Sequence, residues 1–121
     1  MKLRSLLAAL PLSLAVAATD AAAQSLDIRE WPVPWADSRP RDPYVGTDGR
    51  VWFVGQVGNY VAYLQPGTGE FKQFELEDGA LPHNLIVGAD GAVWYAGNGN
   101  GHIGRLDPAT GQVRRFPMPD S

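Results

Sequence analysis

The stretch Gly46-Thr-Asp-Gly-Arg-Val-Trp-Phe-Val-Gly55 is answered 42 residues later by Gly88-Ala-Asp-Gly-Ala-Val-Trp-Tyr-Ala-Gly97. The match extends in both directions without a gap. From Pro40 to Leu76 against Pro82 to Met118, thirteen of 37 positions are identical. An internal repeat of this length, with a Trp and short apolar runs, is the mark of a supersecondary unit stacked on copies of itself.

Each copy reads as four short strands. The first covers Tyr44 to Thr47 and Leu85 to Ala89, and an Asp-Gly turn follows at 48–49 and 90–91. Asp-Gly between apolar runs is a strong hairpin signal, because both residues tolerate a positive φ. The second strand, Arg50 to Gly55 and Ala92 to Gly97, is almost continuously apolar, as a strand buried on both faces must be. A Gly/Asn loop leads to a third strand, 60–65 and 102–107. Pro66-Gly-Thr-Gly69 and Pro108-Ala-Thr-Gly111 then turn the chain into a fourth, 70–76 and 112–118. No window has helical period. The fold class is therefore all-β: two four-stranded antiparallel β-propeller blades, at 43–76 and 85–118. A partial third copy precedes them. Ile28-Arg-Glu-Trp-Pro-Val33 resembles Phe71 to Leu76 and Val113 to Met118, and is expected to be an isolated fourth strand.

One blade cannot bury both of its faces, and about three repeats are the usual minimum. Two explanations are open. The chain is a fragment of a longer propeller, which is the favoured reading, or two-blade protomers assemble head to tail, three of them closing a six-blade ring.

Residues 1–23 have the features of a signal peptide: Lys2 and Arg4, an apolar run from Leu6 to Ala18, and Ala21-Ala-Ala23 before Gln24. The expected mature protein, 24–121, is periplasmic or secreted, with no membrane partner after cleavage. The whole chain has ten basic and thirteen acidic residues; without Lys2, Arg4 and Asp20 it has eight and twelve, a net charge of −4. No basic face is available for phosphates, which argues against nucleic acid. The absence of Cys excludes a thiol nucleophile, a thiolate metal site and disulfides.

The second copy, Gly88 to Tyr95 followed by Ile103-Gly-Arg-Leu-Asp-Pro108-Ala-Thr-Gly111, resembles the streptogramin B (virginiamycin B) lyase family. The resemblance covers residues 28–119. It implies a seven-bladed parent propeller and an elimination that opens a macrocyclic lactone, with a Mg²⁺ ion and histidines near the ring axis. His83 matches the family's His just before the first strand of a late blade. Leu81 stands where such a blade carries Glu, and Arg41 occupies the His place one blade earlier.

In a blade, the first-to-second and third-to-fourth turns share one end, and the other connections share the opposite end. The second end is the more polar and is the expected site. His83 is the catalytic candidate, as a base toward a proton α to a leaving ester or as a metal ligand. Asp42 and Asn84 are candidate oxygen ligands to a hard cation, and Arg41 a candidate anion contact. Asn98, Asn100 and His102 complete the binding candidates, although the place of His102 beside a Gly-rich loop predicts ordinary surface. Trp31 and Trp35, among Pro and charge, are expected to be exposed enough to stack on a sugar. Gly99 to Gly104 spells G-x-G-x-x-G, but strands flank it on both sides and it lacks the helix that dinucleotide binding needs. Three functions follow as expectations: a carbon–oxygen lyase acting on a cyclic depsipeptide, a carbohydrate- or peptide-binding module at blade junctions, or an inactive scaffold.

Overall fold

The structure is a computed structural model and describes residues 26–119; the signal-peptide reading falls outside them. Eight strands follow in order: β1 (Pro40–Val45), β2 (Val51–Gly55), β3 (Tyr60–Gln65), β4 (Glu70–Glu75), β5 (Pro82–Val87), β6 (Val93–Gly97), β7 (His102–Leu106) and β8 (Val113–Pro117). They form two antiparallel sheets, β1-β2-β3-β4 and β5-β6-β7-β8. The expected blades are present, with no helix among the described residues.

The Asp-Gly turns form as the residues dictate. Asp48 Oδ1 accepts from the Arg50 amide at 3.1 Å, and Asp90 Oδ1 accepts from the Ala92 amide at 3.1 Å. Gly49 and Gly91 take φ of 78°, a region costly for other residues.

The two sheets share one core. Trp52, Val54, Val61, Tyr63, Phe74 and Leu76 of the first meet Ala80, Leu85, Val93, Tyr95 and Leu106 of the connection and second sheet, with Val87 packed alongside. Trp52 is 1% exposed and Leu106 is 0% exposed. Burying such a side chain stabilises by about 2–3 kcal/mol. The sheets are joined mainly along β5 packed against β1 and β2, so the blades meet at their first strands.

The N-terminal segment at 28–33, expected as an isolated fourth strand outside these two blades, has no pairing partner among the described residues and forms no strand. Instead Val33 and Trp35 cover the outer face of the first sheet, over Phe53, Tyr60, Ala62 and Phe71. The Trp35 ring lies 4.9 Å from Tyr60 and 6.0 Å from Phe71. Trp31 is half-buried, and its indole nitrogen is enclosed without a partner among the described residues. Trp35 is thus committed to packing rather than held out for a sugar, whereas Trp31 lies beside Gly69 with Arg29 over its ring.

Candidate functional site

The first strands begin earlier than their apolar runs suggest. β1 starts at Pro40 and β5 at Pro82, and each contains a bulge. Between Arg41 and Tyr44, and between Pro82 and Leu85, three residue steps on one strand oppose two on its partner. Pro43 cannot donate a ladder hydrogen bond, and Asp42 takes a positive φ of 51°. The bulges turn Asp42, His83 and Asn84 out of the regular pleat, and Arg41 is the last paired residue before the first of them. Bulges commonly re-aim side chains next to sites in this way. His83 is therefore inside β5 rather than in the loop before it.

Three of the candidates come together here, at the end where the chain passes from one blade to the next. Arg41 Nε donates to Asp42 Oδ2 at 3.2 Å, and its Nη1 donates to Gln56 Oε1 at 3.0 Å. His83 Nδ1, from the second blade, lies 3.9 Å from Asp42 Oδ2. His83 and Asp42 are 45% and 43% exposed, so the imidazole lies beside a carboxylate, without a hydrogen bond to it, and is open to a ligand. Asn84 belongs elsewhere: it lines a groove with Ile86 and Trp94 on the outer face of the second sheet. The exposed Asn98 sits in the β6–β7 turn.

Asn100 and His102 belong to a second cluster that the sequence reading did not foresee. His102 is 2% exposed, not ordinary surface. Its Nδ1 lies 2.6 Å from Asn100 Oδ1 and its Nε2 lies 3.2 Å from the Tyr95 hydroxyl. The Asn100 carbonyl oxygen and the Tyr95 hydroxyl fit a proton on Nδ1 and an accepting Nε2, while Arg115 Nη2, a donor only, also lies 3.4 Å from Nδ1. Asn100 Nδ2 donates to Glu77 Oε1 at 3.0 Å, and Arg115 Nη1 donates to Glu77 Oε2 at 2.9 Å. Burial holds the imidazole below its ordinary pKa; the Arg115 charge acts the same way and Glu77 opposes it. Burial, with the Glu77 charge adding to it, pushes the Tyr95 hydroxyl up to about 12. The missed signal was Gly97, where a Cβ would lie 2.1 Å from His102 Cε1. A glycine cross-strand from a ring marks a ring folded over the backbone.

Asn59 has a structural task. It sits at φ 59° and holds the connection between the blades. Its Nδ2 donates to the Leu76 and Glu77 carbonyls, and its Oδ1 accepts from the Leu81 amide at 2.9 Å.

The Mg²⁺ implied by the family resemblance does not fit the described residues alone. Mg²⁺ needs a near-octahedral shell rich in oxygen. Asp42 supplies one carboxylate, already shared with Arg41, and His83 supplies a nitrogen. Among the described residues no group of three His, Cys, Asp or Glu converges on a cation position.

These sheets, with their strand order, repeat and shared core, define a pair of β-propeller blades. Solved structures similar to the chain include virginiamycin B lyase from Staphylococcus aureus, in a catalytically inactive histidine-to-alanine variant with quinupristin (30% identity, TM-score 0.68). The selenomethionine-substituted form of that enzyme matches at 30% identity and TM-score 0.69, and a streptogramin B lyase at 32% and 0.69. Each match covers 75% of this chain, which spans 30–31% of the lyase's length. The extracellular domain of a one-component system from B. thetaiotaomicron, at 19% identity and TM-score 0.55, shares the fold. No protein-family model and no curated protein sequence matches the chain.

Proposed function

We propose that this chain supplies two blades of an exported, streptogramin B lyase-like propeller and, with His83, Asp42 and Arg41, part of its axial site. The observation that carries the reading is the cross-blade approach of His83 Nδ1 to Asp42 Oδ2 at 3.9 Å, in a chain about 30% identical to lyases of this fold. Asp42 lies beside the imidazole, and Arg41, which donates to Gln56, also donates to Asp42.

The reaction is an elimination. His83 takes the proton from the carbon next to the one bearing the ester oxygen. The C–H electron pair becomes a C=C bond, the C–O bond breaks, and the oxygen leaves as part of a carboxylate. No water is consumed. Arg41 is the candidate partner for that carboxylate, through the N–H groups not given to Asp42 and Gln56. No step here runs through a metal, and the assay is done with and without added Mg²⁺.

The test uses the full chain and a streptogramin B lactone. Elimination opens the ring without changing its mass, whereas hydrolysis adds one water. We expect His83→Ala to lower the rate by about 10²–10⁴-fold, the range for a general base. The lactone should also shift the imidazole resonances of His83 in the wild-type chain. Neither turnover nor such a shift, or a wild-type rate in the variant, would overturn the reading.

A second reading, a binding module at the blade junction, is favoured by a cavity of about 730 Å³ between the sheets at the Asp-Gly end. Trp52 and Tyr63 line it, with Arg50 and Lys72 at its edge. The same titration reports on this cavity through Trp fluorescence.

A further inference from the structure

In each blade the turn between the second and third strands grips the segment that leads into the first strand. The Val57 amide donates to the Ser38 carbonyl at 3.1 Å, and at the same places one repeat later the Gly99 amide donates to the Ala80 carbonyl at 3.0 Å. Side chains reinforce the two grips differently. In the first blade Ser38 Oγ and the Tyr60 hydroxyl lie 2.8 Å apart, and neither changes charge between about pH 5 and pH 8. In the second, Glu77 of the segment accepts from Asn100 of the turn and from Arg115 of β8, and Asn100 meets His102. One of two equivalent grips therefore rests on a buried imidazole.

His102 is the group whose charge can change near neutral pH. Tyr95 of β6, Asn100 of the turn, Arg115 of β8 and Glu77 of the connecting segment surround it, and Arg115 and Glu77 are the charges that act on it. Glu75 lies farther out, in a groove lined also by Glu77, Tyr95 and Arg115. The ring is 2% exposed, so a second ring proton has to be accommodated inside the cluster. That proton takes Nε2 away as an acceptor for the buried Tyr95 hydroxyl, 3.2 Å away. It also sets an imidazolium 3.4 Å from Arg115 Nη2. Glu77 opposes these effects, but burial and Arg115 together outweigh it and hold the imidazole below its ordinary pKa. Once the turn lifts off the segment, the ring meets water and these costs vanish.

We propose that the Glu77–Asn100–His102–Arg115 cluster is an acid-released latch. A neutral imidazole keeps the connecting segment on the second blade, and a protonated one lets the 98–101 turn open from it. The segment runs directly into β5, which carries His83. The latch is independent of the lyase reading and stands if ring opening fails.

The test is amide hydrogen exchange of the full chain, followed by NMR from about pH 7.5 to about pH 5 and corrected for the intrinsic rate of each amide. Val57 is 58% exposed and Gly99 is exposed, so each amide reports the opening of its own turn. Gly99 should lose protection as the pH falls below the ordinary histidine value, near 6.5, by up to about tenfold per pH unit, the limit for one linked proton. Val57 should keep its protection over the same range. His102→Tyr, which copies the ring that the first blade holds over its glycine, should make Gly99 as insensitive to pH as Val57. His102→Gln, which also lacks the titrating ring, is the second variant and should do the same. The comparison of Gly99 with Val57 in the wild type needs neither variant to fold. Constant protection at Gly99, an equal fall at Val57, or a fall at Gly99 that persists in a folded variant would overturn the proposal.

Discussion

The third strand opens with a ring folded back over a glycine in both blades, but the two rings differ in kind. In the first blade the ring is Tyr60, over Gly55, with its hydroxyl 2.8 Å from Ser38 Oγ and Trp35 packed on its face. In the second it is His102, over Gly97, joined to Asn100 and Tyr95, with Glu77 and Arg115 beyond. Trp35 and Glu77 are one repeat apart, as are Ser38 and Ala80. One backbone position therefore holds an aromatic plug in one blade and a buried titratable network in the other. The backbone accommodates a flat ring there, and the connecting segment meets it with Trp35 and Ser38 in one blade and, through Asn100, with Glu77 in the other.

The largest effects should come from the shared element. At Gly55 and Gly97 a Cβ would lie 2.1 Å from the ring atoms of Tyr60 and His102. We expect Gly55→Ala and Gly97→Ala each to cost about 2–3 kcal/mol in urea denaturation, since the ring and its partners must shift together. If one blade tolerated the change, the rings would not be equivalent.

The next test separates the rings. His102→Leu strips a partner from the Tyr95 hydroxyl and from Asn100, and should cost about 1–3 kcal/mol. Tyr60→Phe should cost about 1 kcal/mol, because Ser38 keeps its bond to the Trp35 carbonyl at 2.8 Å. The two should also differ in pH dependence. The His102 pKa is depressed in the folded state. Its contribution is therefore present above the ordinary histidine value, near 6.5, and is lost as pH falls through the folded one. His102→Leu should reduce the acid-side loss of stability, and Tyr60→Phe should leave it unchanged. At the alkaline end the Tyr95 contribution should fade between its ordinary value, near 10, and about 12.

The smallest effect concerns the rim of the network. Arg115 and Glu77 are 40% and 37% exposed. Arg115→Ala should cost no more than about 1 kcal/mol and less in high salt. It should also bring the folded pKa of His102 closer to its ordinary value, and so shrink the acid-side loss seen in the titration. An unchanged acid limb would show that burial alone sets the imidazole.

Much of this was legible in advance. The Asp-Gly turns, the Trp strands and the 42-residue offset gave two blades with nearly the observed strands, since turn chemistry and period-2 burial are local properties. His83, Asp42 and Arg41 could be placed at one end by counting strands. The bulges that turn Asp42 and His83 out could not, because a bulge is a mismatch between two strands and each strand alone looks regular. His102 looked like surface because it opens a strand beside the Gly-rich loop at 99–101. Its surroundings, Tyr95 across the hairpin and Glu77 and Arg115 farther along the chain, are brought to it only by folding. Residues 28–33 looked like a strand because they repeat a strand's residues.

The sequence by itself determined the blade, its turns and the apolar faces that demand partners, because these follow from residue preferences at short range. Tertiary structure alone decided which imidazole is open and which is enclosed, and which face the N-terminal segment covers. A strand requires a neighbour with free backbone groups, and a histidine takes its character from the charges and solvent around it. Both conditions are set by parts of the chain that meet only after folding.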